Sequence, residues 1–403
     1  MGGAPLSGVR ILDLSRVLSG PFATMQLADL GADVWKVEPK EGDPSRDLCP
    51  PSIDGESAYY QSVNRNKRSL CIDFRHPEAG ALLLKMAEKA DVVVENFLPR
   101  VKEKLGIDYE AVRARNPQVV YCSISGFGQT GPYADRPGLD NIFQGMAGLM
   151  AVTGPNSRPV KCGERVADMV AGLNAALAIV AALRARDRDG EGQFIELSLV
   201  DCLVALQAPQ ISNYFATGEQ TPKVGNGSYF SAPTDSYETA DRPINICVMS
   251  NKHWKAMCSA LGAEDWVHDP RFTNNSDRVR HRTELDKLIV PLFRARTADH
   301  WVSVLGGAGV PIGLVLDYAE VFSDPQIQQN GMGARISDGS GRTVPTIGLP
   351  VRYGRTPAEL RLPPPLLGEH GRKILSEAGL SAAEIEAALE SSLLVSNGPA
   401  EAA

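Results

Sequence analysis

Short apolar runs alternate with amphipathic stretches through the first half of the chain. "VRILDLS" reads as a buried strand, "SGPFATMQLADLG" as a turn leading into a helix, and "ADVWKVE" as a second strand ending on Glu38. Together they make a βαβ unit. The alternation continues with "SLCIDF" as strand, "EAGALLLKMAEKA" as helix, "DVVVENF" as strand, "DYEAVRARN" as helix and "VVYCSISGFG" as strand. Strands separated by helices predict a parallel sheet covered on both faces, an α/β architecture of the doubly wound kind. Next comes the uncharged run Met169 to Leu183, shorter than the roughly 20 residues of a membrane span, which reads as a buried core helix. It leads through "RDRDGEGQ" to the strand "FIELSLV" and a helical stretch "DCLVALQAPQISNYFATG".

From about residue 222 the texture changes. "GNGSYFSAPTDSYETADRPINICVMS" is rich in Gly, Ser and Pro with short strands, and helical segments follow around "KHWKAMCSAL", "TELDKLIVPLFRAR" and "ADHWVSVLGGAG". This predicts a smaller α+β domain. After about residue 330 "GARISDGSGRTVPTIGLPVRY" suggests a hairpin, and a Pro-rich connection enters the terminal helix "SAAEIEAALESSLL". The tail "VSNGPAEAA" is expected to fray.

Composition adds exclusions. With 403 residues, 43% hydrophobic and 22% charged, the chain has the make-up of an ordinary folded, soluble protein. Its net charge of -7 argues against nucleic acid as partner. Seven cysteines without a CxxC pair read as reduced thiols in a cytoplasmic protein, not a disulfide framework or zinc site, so no metal is expected. The N-terminus lacks the basic and apolar regions of a signal peptide, and no membrane association is expected.

Candidate chemistry narrows further. Glu38 ends the second strand about where a ribose-binding acid would sit, but the turn "SRVLSGPFAT" has one glycine, Gly20, where dinucleotide binding needs G-x-G-x-x-G; Glu38 by default ends a strand in solvent. The span from residue 77 to 252 has no histidine, which disfavours a Ser-His or Cys-His hydrolase there. Basic residues cluster in "NRNKRS" (64–69) and "ENFLPRVKEKLG" (95–106), beside strand ends where open α/β sheets bind ligands, and point to a phosphate-bearing ligand. Asp168 stands directly before the apolar run, as a helix N-cap does. An ionised carboxylate held at a helix end can also attack an acyl carbon, and the pattern alone leaves both roles open.

The chain resembles the class III CoA-transferases, the family that also includes α-methylacyl-CoA racemase. The resemblance runs from "GVRILDLSRVLSGPFATMQLADLGADVWKVEP" through "NRNKRSLCIDF", "DVVVENFLP", "SISGFGQTGPYADRPGLDNIFQGMAGLM" and "GQFIELSLVDCLVAL" to "RTPAELRLPPPLLGEH". It implies a Rossmann-like CoA-binding domain built from residues 1–200 and 330–403, a small α+β domain of residues 225–329, a linker at 200–225, and two chains interlocked as a homodimer. It also implies Asp168 as the nucleophile, acyl-CoA and a carboxylic acid as substrates, and no tightly bound cofactor. The acid would attack a donor thioester to give an anhydride, then an aspartyl-CoA thioester that an acceptor acid discharges; succinate is a guess for one partner.

By the same resemblance, Asn96 and Phe97 lie near the adenine of CoA, Lys104 meets a phosphate, as do Lys67 or Arg68, and Arg16, Val17 and Leu18 run beside the pantetheine arm. Leu139 and Asp140 of "GLD" join the CoA-binding set. Gly225 and Gly227 of "VGNGSYF" would bring backbone N–H groups to an oxyanion. Two departures qualify the picture. The racemase branch has a histidine where this chain has Leu139, and leucine moves no proton. The formyl-CoA branch has a glutamine at Leu18, which puts formyl or oxalate in doubt as substrate. A racemase and a catalytically silent CoA-binding homologue are the rival readings.

Overall fold

The computed structural model describes residues 3–155, 158–339 and 341–395, so the tail beyond Val395 lies outside the described residues. Six apolar runs pair in one parallel sheet: β1 (Arg10–Asp13), β2 (Asp33–Pro39), β3 (Lys67–Ile72), β4 (Val92–Glu95), β5 (Val120–Ser125) and β6 (Gln193–Ser198). Their spatial order is β3-β2-β1-β4-β5-β6. Ile11 of β1 lies beside Val34 on one side and Val92 on the other, and all three are fully buried. A strand buried on both faces has no reason to alternate, which is why inner strands such as β4 and β5 read as continuous apolar runs. The chain moves outward from β1 to β2 and β3 and then returns to β4 on the opposite side. That reversal opens a crevice at the carboxyl ends of β1 and β4.

Helices α1 (Ser19–Asp29), α2 (Ala79–Ala87), α3 (Pro99–Leu105), α4 (Tyr109–Arg115), α5 (Asp140–Met146), α6 (Val166–Asp189) and α7 (Leu199–Leu206) connect or cover these strands. The single helix expected after β6 is two, because the chain breaks at Gln207 and a second helix starts at Ala208–Thr217. Pro209, which lacks an N–H and fits only a helix's first turn, accounts for the restart. The chain's end returns to the sheet: Ile374 and Leu375 join the core with Trp35, Leu70 and Tyr121, and the Val395 N–H donates to the Cys71 carbonyl at 2.9 Å.

Two compact units result, one of Met1–Ala147, Gly163–Ala208 and Pro325–Ala403, the other of Gly148–Cys162 and Pro209–Asp324. The first holds the parallel sheet and the hairpin Gly333–Ser337 with Thr343–Ile347. The second takes in residues 148–162, which the sequence pattern groups with the larger domain. It contains three antiparallel strands, Thr234–Glu238, Pro243–Cys247 and Ile312–Leu314, around a core that includes Trp254, Phe272 and Phe293.

The long helix α6 crosses α1 at Gly172. A Cβ there would lie 2.7 Å from the Ser19 carbonyl oxygen and 2.9 Å from the Phe22 ring. Gly172→Val should therefore push the start of α1 away and lower stability by about 1–3 kcal/mol, read as a fall in urea midpoint. An unchanged midpoint would mean that the crossing tolerates separation.

Candidate active site

The segment between β1 and α1 is held from beneath by a buried polar network. Asp13, Lys36, Lys67 and Asp43 are all at most 1% exposed. Lys67 Nζ donates to Asp13 Oδ2 at 3.1 Å, to the Pro21 carbonyl at 2.9 Å and to Asn64 Oδ1 at 2.9 Å. Lys36 Nζ donates to Asp43 Oδ2 at 2.8 Å and to the Ser15 carbonyl at 3.1 Å. Asp43 also accepts the Val17 N–H, at 3.1 and 3.2 Å. Charges this deeply buried persist only when paired and hydrogen-bonded, and here they are.

Val17 itself sits at φ +70°. A β-branched residue in the left-handed region is strained by about 1–3 kcal/mol and stays there only if its surroundings hold it. Gly20 allows the same close turn, since a Cβ would stand 2.2 Å from the Ser15 Cβ. Its glycine therefore serves packing of the loop, not approach to a pyrophosphate.

The network delivers Ser19, the first residue of α1, to Asp168. Ser19 stands against the Asp168 side chain, where its hydroxyl and backbone N–H both favour the charged carboxylate. Asp168 is not the cap of α6. That helix begins at Val166, so the acid stands in its first turn, and the capping acceptor comes from elsewhere: Asp140 Oδ1 accepts the Ala167 N–H at 2.9 Å. Asp140 is in turn fixed by Gln144 Nε2, which donates to its Oδ2 at 2.7 Å. With the cap supplied by Asp140, Asp168 is left to face the N-terminus of α1 instead of closing its own helix.

A helix end alone would lower the Asp168 pKa, but here the shift is the other way. Burial and the nearby Asp140 carboxylate push it up to about 6, against the opposing pull of Arg165 and of the two Ser19 donors. The group is nevertheless mostly ionised above neutrality.

A cleft of about 1100 Å³ opens at the carboxyl ends of β1, β2, β3 and β4, where the reversal of strand order puts it. Arg16, Phe97 and Lys104 line it, with Arg75 and Arg100 adding positive charge. Asn96 stands behind the wall: its Oδ1 accepts the Arg16 N–H at 3.0 Å and its Nδ2 donates to the Arg16 carbonyl at 2.8 Å. Val17 and Leu18 link the cleft wall at Arg16 to Ser19 at the carboxylate. Leu139 is 73% exposed and immediately precedes Asp140.

Lys67 and Arg68 are not presented to a ligand. Lys67 opens β3 with its three donors occupied, and Arg68 is spent on Asp33, at 3.0 and 2.6 Å, and on Glu377, at 3.0 and 2.6 Å. The cluster 64–69 enters β3 at its amino end, whereas the cleft lies at carboxyl ends; residues 95–106 follow their strand and do reach it. Glu38 does not end in solvent either. It is buried against Arg46, with contacts of 2.8 and 2.9 Å, and accepts the Ser69 hydroxyl at 2.8 Å.

In the second unit Gly225 has φ +65°, but its N–H donates to the Gly154 carbonyl at 3.2 Å, and the Gly227 N–H donates to the Val224 carbonyl at 3.0 Å. Both donors expected for an oxyanion are thus engaged inside that unit. Gly227 is needed for space, since a Cβ would meet Asp235 Oδ2 at 2.8 Å. Ser19, Tyr59, Asp43 and Arg165 were not singled out from the sequence. The last stands three residues before Asp168 and was legible as a cation next to the acid.

The chain matches the family model of CoA-transferase family III over residues 6–371. It is 40% identical to the succinate–glutarate CoA-transferase of Agrobacterium fabrum, over 93% of this chain and 95% of that one. To the succinyl-CoA:glutarate CoA-transferase of Mus musculus it is 38% identical, over 93% and 86%. A CAIB/BAIF family protein from Brucella suis has the same fold, with a TM-score of 0.85 at 38% identity, covering 94% of this chain and 100% of that one. A glycine-pinned loop that carries a helix N-terminus to a half-buried carboxylate, beside a cleft ringed by cations, is thus found in a chain that belongs to CoA-transferase family III and is a CoA-transferase.

Proposed function

We propose that Asp168 is the nucleophile that moves CoA from an acyl-CoA to a free acid, with dicarboxylates of the succinate and glutarate kind as the acids. The relatives named for those substrates support the second half of this reading. An Asp168 carboxylate oxygen bonds to the donor's thioester carbon, and the C–S bond breaks to release CoA thiolate, leaving a mixed anhydride. The thiolate attacks the aspartyl carbon, the donor acid departs as carboxylate, and an aspartyl-CoA thioester remains. An acceptor carboxylate then attacks that aspartyl carbon and expels the thiolate. The thiolate takes the new acyl group from the anhydride, which restores the Asp168 carboxylate. No proton is gained or lost over the cycle.

The observation that carries this reading is the placement of Asp168 against Ser19 at the N-terminus of α1, where α1 and α6 cross and the Ser19 hydroxyl and N–H favour the charged carboxylate. They suit the negative charge that develops on oxygen in each tetrahedral step. In this reading CoA occupies the cleft, its phosphates meeting Arg16 and Lys104 and its adenine resting by Phe97, while the strap from Arg16 to Ser19 leads its thioester toward Asp168. Exposed Leu173, Leu177 and Val180 recur on one face of α6, near exposed Ile142, Met146, Val204 and Leu206 in the same unit. Although α6 is long and apolar enough to cross a membrane, its opposite face is committed to α1, and a second copy of this chain in a cytoplasmic homodimer is the fitting cover. Sedimentation as a monomer would remove the dimer from the reading.

Incubation with succinyl-CoA followed by mass spectrometry should find CoA attached at Asp168 in the wild type and not in Asp168→Ala. Transfer without that adduct would sink the mechanism. Because the free carboxyl titrates at about 6, kcat/KM should rise with pH through a midpoint near 6 and level off above 7. A midpoint near 4 would show that the acid is not held as described.

A further inference from the structure

Beside Asp168 stands a second charged group that the mechanism above does not use. Arg165 closes the N-terminus of α6, three residues before Asp168, so the two side chains leave the same turn. Its guanidinium lies over the Tyr59 ring, 4.8 Å from the centroid, and one nitrogen points to the Tyr59 hydroxyl at 3.4 Å. Arg165 is exposed, and among the described residues it forms no ion pair with any carboxylate. The adjacent Glu164 does not satisfy it, since its Oε1 accepts the Arg165 backbone N–H at 3.0 Å. Nor does Asp140, whose two oxygens are taken by Ala167 and Gln144.

A planar cation braced on an aromatic face, its fork in no ion pair with a carboxylate among the described residues, one turn from a nucleophile that bonds carboxylic acids, matches one kind of ligand group. We infer that Arg165 is the residue that selects dicarboxylic acids, binding the free carboxylate at the far end of a short acid while the near end reacts at Asp168. This rests on the nucleophile reading of Asp168. Guanidinium and carboxylate pair through two parallel N–H···O bonds, and the stacked ring fixes the plane of the fork before the acid arrives. A monocarboxylic acid of equal length offers nothing to that fork.

The test is steady-state transfer at pH 8 from saturating succinyl-CoA to glutarate, carbon-13-labelled succinate (followed as label entering succinyl-CoA), valerate or butyrate, in wild type, Arg165→Gln and Arg165→Lys. Arg165→Gln should raise KM for glutarate and succinate by about 30–100-fold, with kcat within a few-fold and little change for the monocarboxylates. Arg165→Lys, which keeps the charge without the fork, should fall between. An unchanged KM for glutarate overturns the inference. So does an equal loss for all four acids with an upward shift of the pH midpoint, because then Arg165 acts only by favouring the ionised form of Asp168. Thermal melts of each variant verify folding, and the wild-type CoA adduct at Asp168 is read separately, so failure of the nucleophile reading is distinguishable from failure of this one.

Discussion

At pH 8 Asp168→Asn is expected to transfer no measurable CoA and yet to melt at a higher temperature than the wild type. The loss of transfer should be at least roughly 10³-fold, because an amide oxygen cannot form the anhydride and no other group replaces it. The gain in stability follows from the direction of the pKa shift. In the fold the Asp168 carboxyl titrates at about 6 instead of the ordinary 3.8, because burial and Asp140 both disfavour its charge. A raised carboxyl pKa means that the folded state holds the proton more tightly than the unfolded chain does. The corresponding stability is fully present below pH 4, is lost as pH climbs through 6, and is absent at pH 8. A shift of about two units corresponds to about 3 kcal/mol, an upper value for a half-buried group. Asparagine keeps the shape without the charge and escapes that cost. Melting curves should therefore coincide near pH 4 and separate in favour of the variant above pH 7. Equal melting at both pH values would show that the carboxylate is not destabilising in place, and that its environment is not the one described.

The same carboxylate shows how much of the site the sequence could reveal. Asp168 before an apolar run is visible in one dimension, and so is the helix it introduces. Its position inside the first turn is not, because the acceptor that frees it, Asp140, lies 28 positions earlier in the chain and reaches Ala167 only after folding. Inner strands such as β4 and β5 were legible because burial on both faces leaves apolar runs; that β1 lies between β2 and β4 was not, since hydrogen-bonded neighbours are fixed by tertiary packing. Lys67 looked like a phosphate ligand for a similar reason. Lysines are ordinarily solvated, and only the fold reveals Asp13, Pro21 and Asn64 converging on its three protons. Burial pushes its pKa down to about 8 against the pull of Asp13, a further sign that it is structural. By contrast, Lys104 and Phe97 follow the carboxyl end of a strand, where position in sequence already implies position at the crevice.

Asp43→Ala should be among the most damaging single changes, at about 3–5 kcal/mol of stability with loss of transfer. It removes the partner of the fully buried Lys36 and the acceptor of the Val17 N–H together. Burial alone would raise the Asp43 pKa, but Lys36 and Ser45 hold it well below the usual carboxylate range, so the pair is charged at every pH where the enzyme works. The two consequences separate in a double variant. Lys36→Met with Asp43→Ala removes the stranded cation, and most of the stability should return, because replacing both members of a buried pair is far milder than removing one. Activity should not return with it. Val17 is held at φ +70° by its bond to Asp43, and without that bond the strained residue relaxes, taking Ser19 from its place on the Asp168 carboxylate. Urea denaturation and kcat/KM measured on the same three proteins decide the matter. A double variant that recovered both stability and transfer would show that the strap from Arg16 to Ser19 needs no anchor, and that the positive φ at Val17 is incidental to catalysis.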